Sequence, residues 1–401
     1  MKPRLLVLTS TFPRWQQDTD PPFVFELSRR LINSFEVMVH TPHFPEAKTR
    51  EIMAGMDIHR FRYFFSSLEK LAGSTGILPT LRKNKLYYGV VPFFLAAQFC
   101  SLFILTKKYR PDIIHAHWLI PQGFQAVIVG MLTKTPVMVT AHGADMFGLQ
   151  GKLFNGIKRF VLNRAHIITV VSEPIAAAIS SLIGVTDKVS KIPMGVDSTL
   201  FRSGKRRKKR LVPAKNCLLY VGRLTEKKGI CYLIDALSLV LKKYPTMGLL
   251  VIGSGELEGS LKIQVAENNL ENAVRFLGSV PNNELPGYYA DSEIFIGPSV
   301  VAQGGDREGF GLTFVEASMS GCLVIGTNTG GIGDIIEDGK TGYLVPQKKS
   351  AALARKIIYA LEHWDEVNTI RESGKKRCIE KFDWKNISAR YSRLLQHIVH
   401  D

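Results

Sequence analysis

At 401 residues the chain exceeds the length over which one hydrophobic core usually keeps growing, so two domains are expected. Hydrophobic residues at 45% and charged residues at 22% exclude a disordered or fibrous chain. The formal net charge of +17 predicts a surface that attracts phosphate groups, while five widely spaced cysteines without a C-x-x-C pair argue against a disulfide framework or zinc site and for a reducing compartment, the cytoplasm.

The chain opens Met1-Lys2-Pro3-Arg4 and its first apolar run ends at Thr9-Ser10, which reads as a first strand and not as a signal peptide. Asp18-Thr19-Asp20 has the look of a metal-binding carboxylate pair, but it lies in a Pro-bracketed loop, so no metal site is expected there. Further apolar runs follow at Val37 to His40, Ile58 to Phe61, Asp112 to His115, Val137 to Thr140 and Ile167 to Val171, separated by helical patterns. Uninterrupted apolar strands between helices predict a parallel sheet covered on both faces.

The uncharged stretch Tyr87 to Thr106 holds twenty residues, about the ~30 Å of a bilayer core at helical rise. Gly89, Pro92 and Gln98 inside it, and the strand directly after it, favour a packed domain helix or one that also touches a membrane surface over a true span. Its neighbours are basic: Arg82, Lys83 and Lys85 before it, and Lys107, Lys108 and Arg110 after it.

His115 and His117, two residues apart in His115-Ala116-His117-Trp118, are expected on opposite faces if the strand continues, which makes a joint metal site improbable. His142-Gly143-Ala144-Asp145 follows the strand Val137 to Thr140 and places an imidazole and a carboxylate at a strand end, where open α/β sheets bind ligands. The first domain then closes near Pro193-Met194-Gly195-Val196-Asp197, before the basic run Lys205 to Arg210. That run reads as a solvated linker, because no nucleic-acid module accompanies it.

A second strand series covers Leu218 to Val221, Leu249 to Ile252, Val274 to Leu277, Ile294 to Ile296, Leu323 to Ile325 and Tyr343 to Val345, predicting a second doubly wound unit. In it, Val221-Gly222-Arg223-Leu224-Thr225-Glu226-Lys227-Lys228-Gly229 puts Arg223 and Lys228 at a strand end, available to neutralise a diphosphate. Gly253-Ser254-Gly255 is a weak dinucleotide signal without its third glycine, a poor fit to a nicotinamide dehydrogenase. The sharpest feature is Glu308-Gly309-Phe310-Gly311-Leu312-Thr313-Phe314-Val315-Glu316. Two carboxylates suited to accept from sugar hydroxyls flank a glycine-rich helix start whose backbone can approach a ligand closely. Trp384 to His397 reads as a final amphipathic helix.

In order and spacing these motifs, with Pro111 to His117, Pro298-Ser299, Ser320-Gly321 and Gly330-Gly331, resemble glycosyltransferase family 4 over nearly the whole chain. The resemblance implies an α/β chain of GT-B architecture, two Rossmann-like doubly wound domains facing across a cleft. The expected bounds are 1–195 for an acceptor-binding domain, 196–380 for a nucleotide-sugar-binding domain and 381–401 for a helix crossing back to the first.

It further implies a retaining hexosyltransferase that uses GDP-mannose or a UDP-hexose, with no metal or other cofactor and no nucleic-acid partner. The acceptor would be a glycan or a lipid-linked acceptor. Separately from the resemblance, the basic clusters and the apolar Tyr87 to Thr106 helix are expected to seat the chain peripherally against anionic membrane on the cytoplasmic face. Arg223 and Lys228 are implied to hold the diphosphate, Glu308 the sugar hydroxyls, and Glu316 the ribose. Gly309, Phe310, Gly311 and Leu312 are implied to supply backbone near the sugar and phosphates. His142, beside the sugar, is expected to act with Glu308 and Asp145 as catalytic groups. The chain departs from the family pattern where Thr11 to Asp18 lacks a Gly-Gly pair and where Gly333-Asp334 replaces Pro-Glu. A nucleotide-sugar epimerase and an inactive partner subunit are the alternative readings.

Overall fold

The computed structural model describes residues 2–15, 18, 23–73, 76–204 and 217–400. The basic run Lys205 to Arg210, and Thr19 and Asp20 of the Asp18-Thr19-Asp20 stretch, lie outside the described residues. The chain divides into two compact units. The first takes the chain up to Val171, then Ile175–Met194, and returns from Ile387 onward; the second takes Ser172–Pro174 and Gly195–Asn386.

The first unit is built on an eight-stranded sheet in the order β3-β4-β2-β1-β5-β6-β7-β8, with β1 Arg4–Leu8, β2 Glu36–Pro42, β3 Arg50–Met53, β4 Met56–Phe61, β5 Ile113–His117, β6 Val137–Ala141, β7 Ile167–Val170 and β8 Val189–Lys191. All neighbours are parallel except β3 and β4. The central strands are apolar at every position because both faces are covered: Leu5, Leu6, Val7 and Leu8 are fully buried, and burying each such side chain is worth roughly 1.5–3 kcal/mol. Ala54 and Gly55, at φ 49° and 81°, form the two-residue turn that brings β3 back along β4.

The second unit carries a six-stranded, wholly parallel sheet in the order β11-β10-β9-β12-β13-β14, with β9 Cys217–Val221, β10 Gly248–Ile252, β11 Val274–Phe276, β12 Ile294–Gly297, β13 Leu323–Thr327 and β14 Tyr343–Val345. Register partners across four adjacent strands (Leu249, Leu218, Ile294 and Leu323) pack in one core with Leu233 and Leu237 of the helix Ile230–Leu241 and Ile357 of the helix Ser350–Glu362. The two doubly wound α/β units are those the strand series predicts.

The uncharged stretch divides in two. A 3-10 turn occupies Lys85–Gly89, and an α-helix runs over Val91–Tyr109 with Pro92 in its first turn, where the missing N–H costs no helical bond. Phe94, Gln98, Leu102 and Leu105 of that helix are buried in the first unit. The final helix, Trp384–His400, places Tyr391 in the first unit, where its hydroxyl donates to the Ile192 carbonyl at 3.1 Å.

Candidate active site

In the second unit the loop after β9 is shaped by the glycines around it. The Tyr220 hydroxyl donates to the Arg223 carbonyl at 2.8 Å and folds the turn back on its own strand. Gly229 sits at φ 61°, where a Cβ would meet the Pro298 carbonyl oxygen at 2.1 Å; only glycine fits as the chain enters the helix Ile230–Leu241. The Gly-x-Gly after β10 has the same origin. A Cβ on Gly253 would meet the Gly222 oxygen at 2.0 Å and one on Gly255 the Leu224 oxygen at 2.3 Å, so these glycines let two loops touch.

That packing brings residues eighty apart in the chain together. The Lys228 ammonium lies 2.5 Å from the Glu308 carboxylate, both side chains largely buried, and beside it Lys227 pairs with Asp306 at 3.2 Å. Burial alone would raise the Glu308 pKa, but the charges of Lys228, Lys227 and Arg223 outweigh it and hold the carboxyl below its ordinary value. Glu308 is therefore ionised, with three cations acting on it.

The helix Leu312–Met319 begins at Gly311, at φ 102°, and carries Glu316 a full turn inside it. Tyr289, fully buried, donates its hydroxyl to Glu316 at 2.9 Å. Burial pushes the Glu316 pKa up to about 7 against the opposing effects of Tyr289 and Lys228. Phe310 is anchored edge-on against Phe382, ring centroids 5.3 Å apart, while Gly309 and Phe310 are backed by Gly331, whose Cβ would meet the Gly309 oxygen at 2.4 Å. A Cβ on Gly330 would lie 2.0 Å from the Glu308 oxygen. Gly330-Gly331 thus presses directly on the backbone that presents Glu308, Gly309 and Phe310. Leu312, the first residue of the helix, has no intrahelical acceptor for its N–H.

His142 and Asp145 belong to the first unit. The buried Asp145 carboxylate accepts from the backbone N–H groups of Leu119 at 2.8 Å, Gly143 at 2.9 Å and His142 at 3.2 Å, tying the loop after β5 to the loop after β6. Burial raises its pKa, and the backbone donors act the other way. The His142 ring packs against Trp118 and Phe23, with centroids 4.9 and 5.1 Å away, and its Nε2 shares a hydrogen bond of 3.0 Å with Nδ1 of His117. Burial lowers the His142 pKa to about 3, so the ring is neutral.

One expectation is corrected here. His115 and His117 lie on the same face of β5, ring centroids 4.2 Å apart, because the strand's side-chain period is two and residues i and i+2 share a face. His115 turns its Nε2 to Thr140 at 2.7 Å. In the loop after β1, Arg14 takes up Asp18 with its side chain at 2.6 and 2.7 Å, so that carboxylate of the Asp18-Thr19-Asp20 stretch is already engaged by an internal cation.

Sequence reasoning did not find Tyr289, Lys227, Asp306 or the His117 bond to His142. Only the tandem Lys227-Lys228 carried a local signal; the others are partners across 25 or more residues.

Residues 22–200 match the family described as Glycosyltransferase Family 4, and residues 201–377 match Glycosyl transferases group 1. The chain belongs to glycosyltransferase family 4. It is a glycosyltransferase, and its two Rossmann-like units are those of the GT-B fold. It is similar to a putative colanic acid biosynthesis glycosyltransferase, WcaL, of Salmonella typhimurium, with 27% identity over 302 residues, 73% of this chain and 72% of the relative. It is also similar to a GDP-mannose-dependent alpha-(1-6)-phosphatidylinositol monomannoside mannosyltransferase of Mycobacterium tuberculosis, with 24% identity over 266 residues, 65% of this chain and 69% of the relative. Among solved structures, HepE of Anabaena in complex with UDP-glucose superposes with a TM-score of 0.76 at 18% identity, covering 98% of this chain and 100% of that one.

Proposed function

We propose that this glycosyltransferase is a retaining hexosyltransferase. It would take a hexose from GDP-mannose or a UDP-hexose and pass it to a glycan or lipid-linked acceptor in the synthesis of a cell-envelope polysaccharide or glycolipid. The observation that carries the reading is the Lys228–Glu308 pair with Arg223 acting on it. It is one compact group holding both the cations a departing diphosphate needs and an ionised acceptor for sugar hydroxyls. A relative that is GDP-mannose-dependent and a neighbour with bound UDP-glucose support a nucleotide-sugar donor and leave both bases in play.

Arg223 and Lys228 are assigned to the diphosphate, where their positive charge offsets the charge that develops as the glycosidic C–O bond breaks. This role needs no metal. Glu308 is assigned to the hydroxyls of the transferred hexose and Glu316 to the ribose, with the backbone of Gly309, Phe310, Gly311 and Leu312 near sugar and phosphates. The acceptor oxygen would bond to the anomeric carbon on the side the diphosphate leaves, and a phosphate oxygen would take the acceptor's proton. His142 is assigned to the sugar as a neutral hydrogen-bonding group. Asp145, whose carboxylate is occupied by three backbone donors, is assigned to positioning His142. The five cysteines, all free thiols, support a cytoplasmic site of action.

The test is incubation with a panel of sugar nucleotides in EDTA, following the anomeric proton of the released or transferred sugar by NMR. One donor consumed with α-configured product supports the reading; β-configured product, or a strict metal requirement, contradicts it.

A further inference from the structure

Residues 62 to 110 contain eight Lys or Arg (Arg62, Lys70, Arg82, Lys83, Lys85, Lys107, Lys108 and Arg110) and a single carboxylate, Glu69. Glu69 is buried: it accepts from His43 and from the backbone of Tyr63, and pairs with Arg62 at 2.8 Å, so it offers no negative charge to the surface.

The apolar residues of the same segment alternate in and out. Tyr63, Phe94 and Val90 form a small core with the partly buried Phe64 and Tyr87 packed on it. Their immediate neighbours face solvent: Phe65 is 75% exposed, Leu86 83%, Tyr88 58% and Phe93 55%. Phe64 touches both Phe65 and Phe93, with centroids 5.2 and 5.1 Å away, so the outward rings share one patch. Along the helix Val91–Tyr109 the exposed positions Phe93, Ala96, Cys100 and Ile104 fall on one stripe about 16 Å long, uncharged throughout. Exposed Arg82, Lys83 and Lys85 stand at one end of this stripe and exposed Lys107 and Lys108 at the other.

We propose that this face seats the enzyme on a bilayer containing anionic lipid, with Leu86, Tyr88 and Phe93 entering the headgroup boundary and the flanking cations resting on lipid phosphates. An uncharged stripe ringed by cations matches an anionic interface in both chemistries at once. The helix lies on the bilayer and does not cross it, because Phe94, Leu102 and Leu105 would have to leave the core of the first unit for it to span. The proposal does not depend on the donor or on the stereochemistry of transfer.

Co-flotation of the full chain with vesicles tests it, using phosphatidylcholine alone and phosphatidylcholine mixed with phosphatidylglycerol, at low and high salt. The chain is expected to float with the mixed vesicles at low salt and to be largely released by high salt. At about fivefold per cation, Arg82→Ala/Lys83→Ala/Lys85→Ala weakens partitioning about one hundredfold. Leu86→Ser/Phe93→Ser weakens it by about tenfold or more. Both variants alter exposed side chains and keep the parent's melting temperature and nucleotide affinity. Failure to float with anionic vesicles, equal flotation with neutral ones, or full partitioning by both variants overturns the proposal. So does a lipid-free dimer that Leu86→Ser/Phe93→Ser dissociates, since a second copy of the chain would then cover the face.

Discussion

Lys228 and Glu308 hold opposite charges 2.5 Å apart in the second unit, and each compensates for the burial of the other. Removing one partner leaves the other unpaired. Lys228→Ala is therefore expected to lower the stability of the ligand-free enzyme by about 1–3 kcal/mol, below the cost of breaking a fully buried pair because both groups keep some solvent contact. Lys228→Met/Glu308→Gln recovers most of that loss while staying inactive. Urea unfolding of the single and double variants, with activity measured alongside, checks both halves.

Glu316 carries a pH signature. Its folded-state pKa of about 7 lies above the ordinary 4.5, so the folded protein binds the extra proton. Its stability contribution is fully present below about 4.5 and is lost as the pH rises through 7. Glu316→Gln removes this slope and is expected to stabilise the ligand-free enzyme at pH above 7 by roughly 1–3 kcal/mol. Donor affinity in the parent should rise over the same window, as the carboxylate becomes the better acceptor for ribose, and stay flat in the variant. Thermal unfolding and calorimetry across that range read both.

The histidine cluster makes the opposite forecast for the rate. Burial holds His115 and His142 near a pKa of about 3 and His117 well below its ordinary value, so none takes a proton near neutrality. No limb of the pH–rate profile with a midpoint near the ordinary histidine pKa of about 6.5 should trace to them. Nitrogen-15 NMR of labelled histidines should find all three neutral from pH 5 to 8. His142→Ala should lower kcat by about 10- to 100-fold without adding such a limb.

Gly331 and Gly333 separate contact from conformational freedom. A Cβ on Gly331 would meet the Gly309 oxygen at 2.4 Å and the Phe310 Cα at 2.8 Å, whereas one on Gly333 meets nothing within 4 Å. Gly331→Ala is expected to cost about 1–3 kcal/mol and to weaken donor binding by displacing the backbone beside Glu308. Gly333→Ala, inside the short helix Ile332–Ile335, is expected to stabilise by about 0.4–1 kcal/mol. Melting temperatures and nucleotide titrations of the two variants form the comparison.

The strand series was legible because central parallel strands are buried on both faces and leave unbroken apolar runs. β3 and β8 were not, since Arg50–Met53 and Val189–Lys191 mix polar residues into short sheet edges. The Glu308 to Glu316 string was legible from glycines at fixed spacing, which mark a helix start wherever they occur. What Gly330-Gly331 does was not, because its reason is a backbone 20 or so residues away, and the same holds for Tyr289 behind Glu316. Opposite faces for His115 and His117 contradict the two-residue period of a strand, and their rings lie against each other on one face, tilted, with centroids 4.2 Å apart.

The most direct measurement is calorimetry of GDP, UDP, ADP and their sugar conjugates with the parent enzyme in EDTA, repeated on Arg223→Ala and Glu316→Ala. Selective binding of one nucleotide and its sugar conjugate is expected, lost or weakened by about 10-fold or more in each variant, with a stabilisation of about 2.7 kcal/mol at one hundred times the dissociation constant. A well-folded parent that binds none of them, or variants that bind as the parent does, would contradict the assignment of this site to a nucleotide-sugar donor.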